Sequence, residues 1–123
     1  MTATKTTATF LAAIAAAGLM LAASQAAAHA KLVSANPAPD ATVAAPKAIR
    51  LKFSEKLEPK FSGFEIATAA GGAVPVKTVV AKGGQVIDGA LNTPLAPGTY
   101  KVTWHAVTAD AHRVNGAYSF TVR

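Results

Sequence analysis

Three residues offer nitrogen and oxygen donors in a pattern that suits a metal ion: His29, Asp110 and His112. His29 follows Ala26-Ala27-Ala28, a small-residue run that reads as the end of a cleavable leader. Cleavage there makes His29 the first residue, and its α-amine and ring Nδ1 can then close a chelate ring on one ion. His112 ends the triplet Asp110-Ala111-His112. In an extended segment, residues i and i+2 point to the same side, so carboxylate and imidazole would face one ion together. If the fold joins the two ends of the chain, three nitrogens and one oxygen converge. That set suits tetragonal Cu(II) better than tetrahedral zinc. By itself the triplet reads first as a polar loop, with Asp110 in a turn and His112 solvated, because short motifs recur by chance.

Glu55 follows the run Leu51-Lys52-Phe53-Ser54. If the alternation persists, Glu55 lies on the apolar side with Phe53, and a carboxylate there must find a partner at the rim of the sheet. It could bind metal, hydrogen-bond to a ligand from behind, or pair with Lys56 at the surface. His105 falls opposite the face carrying Tyr100, Val102 and Trp104, so it is expected to point away from the core and to stay outside the site. Trp104 is expected in the core.

Positioning such donors requires a rigid frame, and the dominant period after residue 30 is two. Ile49, Leu51 and Phe53 alternate with polar residues, as do Tyr100, Val102 and Trp104, and Tyr118, Phe120 and Val122. Each run reads as a half-buried strand. Weaker strands are expected over 31–35, 61–67, 74–80 and 86–91. Turn signals separate them at Asn36-Pro37-Ala38-Pro39-Asp40, Ala69-Ala70-Gly71-Gly72, Gly83-Gly84, Leu95-Ala96-Pro97-Gly98 and Asn115-Gly116. Ala41–Ala48, interrupted by Pro46, gives no helix, and Lys56–Pro59 gives one turn at most. About seven short strands with regular turns predict an all-β, Greek-key sandwich.

Residues 1–28 read as a secretory signal, with Lys5 in the charged region and an apolar stretch from Phe10 to Leu21. That stretch is shorter than the roughly 20 residues of a spanning helix, so cleavage rather than anchoring is expected, with no stable membrane insertion. Residues 29–123 then form one small exported domain. The chain has no cysteine, so apolar packing must carry the fold, and thiolate sites for zinc, Cu(I) or iron–sulfur clusters are excluded. Its formal net charge is +6, but the cations are scattered singly and not interleaved with aromatics. They read as a solubilising surface and not as a nucleic-acid site.

The segments from His29 to Asp40, from Leu51-Lys52-Phe53-Ser54-Glu55 to Pro59, from Gly98 to Trp104, and from Asp110-Ala111-His112 to Phe120 together resemble the CopC family of periplasmic copper-binding proteins. The resemblance covers nearly all of residues 29–123. It implies a seven-stranded β-sandwich, immunoglobulin-like or cupredoxin-like, binding Cu(II) at its N-terminal edge. The implied donors are the amine and Nδ1 of His29, a ring nitrogen of His112 and an oxygen of Asp110. Glu55 matches an acidic residue near the metal, as a weak ligand or a group behind the ligands. Some members of the family carry a second, Cu(I), site rich in methionine. Here Met1 and Met20 both lie in the leader, so one Cu(II) per mature chain and no Cu(I) site are expected.

The resemblance further implies a copper carrier in the periplasm, not an enzyme. It would be a monomer serving copper resistance, homeostasis or delivery to an inner-membrane copper protein of the CopD type. Two rivals remain open at this point. A terminal-histidine copper site is also used by lytic polysaccharide monooxygenases, although Tyr100 and Tyr118 fall on core-facing positions and leave no aromatic row for a glycan. A metal-free interaction module would keep the sandwich and need neither His29 nor His112.

Overall fold

Apolar–polar alternation builds two sheets that face each other, described here for residues 30–123 from a computed structural model. The strands are β1 (Leu32–Asn36), β2 (Thr42–Val43), β3 (Ala48–Phe53), β4 (Gly63–Thr68), β5 (Ala73–Val74), β6 (Lys77–Val80), β7 (Val86–Ala90), β8 (Gly98–Val107) and β9 (Arg113–Val122). One sheet has the order β1-β3-β7-β6 and the other β2-β9-β8-β4-β5. Pairing is antiparallel except between β2 and β9. Residues 1–29, which include the expected leader and His29, lie outside the described residues.

In β3, Ile49, Leu51 and Phe53 are fully buried while Arg50 and Lys52 are exposed. Val102, Ile87 and Phe120 meet them from the other strands, each buried. Removing such side chains from water contributes roughly 1.5–3 kcal/mol apiece, which lets the fold stand without disulfides. Two ring pairs pack in the core, Phe53–Trp104 between the sheets and Tyr100–Phe120 between neighbouring strands of one sheet. Phe53 and Trp104 meet edge-on, with centroids 5.1 Å apart, and Tyr100 stacks on Phe120 at 5.7 Å. Both are favoured aromatic arrangements.

The all-β sandwich agrees with the period-two pattern. β1, β3, β4, β6, β7, β8 and β9 coincide with the expected strands, and β2 and β5 are two-residue additions at the two edges of one sheet. No alternation can be read from two residues, so the span 41–48 gave no sign of β2. The single 3-10 turn among the described residues, Pro59–Phe61, starts at the proline, where a missing N–H costs nothing.

Asn115-Gly116 is not a turn, contrary to expectation. Both residues lie inside β9, opposite His105 and Trp104. The glycine answers to packing: a Cβ on Gly116 would come within 2.5 Å of Trp104 Cζ2. A glycine inside a strand often marks such a close approach. The actual turn joins β8 to β9 over residues 108–112, and it carries the Asp-Ala-His triplet.

Candidate metal centre

The N-terminal edge is tied down by main chain before any metal is considered. Ala30 is buried. Lys31 N donates to Ser54 Oγ at 2.9 Å, and Ser54 N donates to the Lys31 carbonyl at 2.9 Å. These bonds hold Lys31 against the end of β3, where Glu55 follows Ser54. From there the chain runs to the β8–β9 turn. Leu57 bridges to Thr108, and Glu58 N donates to the Val107 carbonyl at 2.7 Å. The segment 54–58 thus links the start of β1 to the base of the turn.

Within that turn, Thr108 N donates to the His112 carbonyl at 3.0 Å and Ala111 N to the Thr108 carbonyl at 2.9 Å. Ala111 takes a left-handed conformation, φ 69°. The triplet is therefore not extended, and the i, i+2 alternation expected of it does not apply. The turn achieves the same meeting by another route. Asp110 Oδ2 lies 2.9 Å from His112 Nδ1, with both side chains about half exposed. The other carboxylate oxygen, Oδ1, accepts a short hydrogen bond from the Thr108 hydroxyl, and Thr108 is itself buried at 3% exposure. The Thr108 hydroxyl, partly opposed by desolvation and aided by His112, holds the Asp110 carboxyl below its usual range. Each carboxylate oxygen accepts through two lone pairs, so both keep a site for a further partner.

The 2.9 Å separation has a chemical meaning. Two donors at adjacent corners of a square around one ion, with bonds of roughly 2.0–2.1 Å, stand roughly 2.8–3.0 Å apart. Asp110 Oδ2 and His112 Nδ1 have that spacing. Among the described residues, no three His, Cys, Asp or Glu side chains gather at one point. The structure brings Asp110 and His112 together and leaves Glu55 outside that pair, half-exposed on the connecting segment. His29 lies outside the described residues. His105 is exposed on the outer sheet face, as expected.

Thr108 went unrecognised in the sequence. Its signal was a hydroxyl two residues before an aspartate, directly after an apolar strand, where Ser and Thr commonly bond to a nearby group. Tyr100 and Trp104 are buried and Tyr118 half-buried, and Phe61 is the exposed aromatic among the described residues. Among the described residues, the outer sheet faces thus carry no row of aromatic rings.

The family model described as the CopC domain matches residues 32–123. The chain belongs to the CopC family. It is 41% identical over 110 residues to copper resistance protein C of Xanthomonas campestris pv. juglandis, covering 84% of this chain and 87% of that relative. It is 44% identical over 101 residues to protein YobA of Escherichia coli K12, covering 78% and 80%. Among solved structures it resembles PcoC, a methionine-rich copper resistance protein from E. coli. There the TM-score is 0.73 at 38% identity, over 78% of this chain and all of that one. This CopC-family chain therefore shares sequence with these relatives and its sandwich with PcoC.

Proposed function

We propose that the protein is a periplasmic copper carrier that holds one Cu(II) at the edge formed by the N-terminus and the β8–β9 turn. The leader is removed after Ala28, and His29 supplies its amine and Nδ1. His112 supplies a ring nitrogen and Asp110 an oxygen, with Glu55 beside them as a weak or indirect contributor. The observation that carries this reading is the Asp110–His112 pair, already spaced as two neighbouring ligands of one tetragonal ion. Its support is the family membership and the main-chain ties that lead the N-terminal segment toward the same edge.

Cu(II) heads the divalent affinity order for nitrogen and oxygen donors. Its retention needs an unprotonated amine and imidazoles, which in model compounds take up protons at roughly 7.7–8.0 and 6.5. A relative in the family is described as methionine-rich. This chain has two methionines, both before His29, and no cysteine. Without soft sulfur donors the site favours Cu(II), and reduction to Cu(I) loosens the metal. Release by reduction suits delivery to an inner-membrane copper protein of the CopD type. The protein acts as a carrier and not as a catalyst.

Copper titration of the mature protein beginning at His29 tests this reading. The expected result is one tight Cu(II) per chain, weakened by more than roughly a hundredfold in His112→Ala, since even groups behind metal ligands commonly alter affinity 10- to 100-fold. Ascorbate should then release the metal to a Cu(I) chelator. Tight binding unchanged in His112→Ala would overturn the assignment.

A further inference from the structure

The β8–β9 turn borders a second feature that copper binding does not use. On the outer face of the β2-β9-β8-β4-β5 sheet, a shallow cleft of about 260 Å³ opens between Phe61, His105, Arg113 and Asn115. Buried Ala106 and Val107 also line it. The strand register sets the polar groups side by side. His105 stands opposite Asn115, and Arg113 stands opposite Val107 two pairs nearer the turn, on the same face. The His105 ring reaches over Gly63, where a Cβ would lie 3.5 Å from its Cε1.

His105, Arg113 and Asn115 are exposed, and none has a side-chain hydrogen bond or ion pair among the described residues. Arg50, on the other sheet, is instead satisfied by Asp88 at 2.7 Å. No carboxylate lines the cleft. It therefore presents a guanidinium fork, an amide and an imidazole, walled by a phenyl ring that is 56% exposed. A guanidinium fork pairs best with a carboxylate, through two parallel hydrogen bonds. Arginine and aromatic residues at a small pocket are also the usual anchors of a protein interface.

We propose that this cleft docks an acidic segment of the protein with which this chain exchanges copper, a carboxylate on Arg113 and a neighbouring apolar side chain against Phe61. The assignment of the partner rests on the copper-carrier reading, because Arg113 directly follows His112. A segment seated here lies against the turn that carries Asp110 and His112. The shape favours a side chain over a membrane: anionic lipid is met by clusters of about four to eight basic residues, whereas this cleft holds one guanidinium.

The test is a nuclear magnetic resonance titration of the metal-free mature protein with the blocked peptide acetyl-Glu-Leu-Glu-Leu-amide and its Gln-for-Glu counterpart. The acidic peptide should shift the amides of Ala106, Arg113 and Asn115 saturably. Arg113→Glu, or use of the Gln peptide, should weaken binding roughly tenfold or more, as loss of an interfacial charge pair does, while Arg50→Glu should leave it within about twofold. Absence of saturable shifts, equal response to both peptides, or equal loss in Arg50→Glu would overturn the proposal. The same amides moving only with phosphatidylglycerol vesicles would overturn it in favour of a lipid surface. The titration contains no copper, and Arg113→Glu should bind Cu(II) as the unchanged protein does. Failure of docking and failure of the copper site are thus read separately.

Discussion

Lys31 and Ser54 exchange two hydrogen bonds, Lys31 N to Ser54 Oγ at 2.9 Å and Ser54 N to the Lys31 carbonyl at 2.9 Å. This clasp fixes the main chain two residues after His29. Ser54→Ala keeps the backbone bond and removes the side-chain acceptor, at about 1 kcal/mol of stability or less. Cu(II) affinity should fall about tenfold, as for other groups that hold ligands in place. Competition with a chelator of known strength measures it. An unchanged affinity would mean that the clasp does not position His29.

Thr108→Val removes the main cause of the lowered Asp110 pKa. The carboxyl should titrate closer to the usual range in the variant, read from its carbon chemical shift against pH. A depressed folded pKa contributes stability that is present above the ordinary carboxylate pKa and lost as pH falls through the depressed value. In the unchanged protein, Asp110 therefore stays anionic in mild acid, and copper should be lost there through protonation of the amine and imidazoles. A Thr108→Val protein with the same Asp110 titration would contradict the assignment.

The sandwich and its inner face were legible because alternation survives in β3, β8 and β9, where Phe53, Trp104 and Phe120 all fall inside as their spacing required. What escaped were features set by one close contact or by very short pairing. Gly116 imitates a turn but makes room for an indole, and β2 consists of two residues held by β9. At the candidate site, the types of Asp110 and His112 were readable. Their means of meeting was not, because a left-handed Ala111 has no sequence signature. Alanine is an uncommon choice for that conformation.

Gly116→Ala tests the packing account. Its methyl group meets the Trp104 ring at 2.5 Å, so the indole or the strand must shift. A loss of about 1–3 kcal/mol is expected from overpacking, together with altered tryptophan emission. Urea denaturation measures the first, and a stability equal to that of the unchanged protein would count against a fixed Trp104.

Tyr118 carries a buried hydroxyl with no hydrogen-bond partner among the described residues. Tyr118→Phe should therefore be neutral or stabilising by up to about 1 kcal/mol, since the unsatisfied group is removed. Burial pushes the hydroxyl from 10.0 up to about 12. A raised folded pKa means that its stability contribution is whole below about 10 and is lost as pH rises toward about 12. The variant should lack that alkaline component in denaturation curves collected across the range. A clear destabilisation at neutral pH would reveal a partner for the hydroxyl.

The most direct test of the central claim compares two proteins by Cu(II) electron paramagnetic resonance. One begins at His29 and the other carries one additional residue before it. A single tetragonal signal with three nitrogen donors in the first, and a changed and weakened one in the second, is the predicted result. Identical signals and affinities in both would remove the terminal amine from the site and contradict the account.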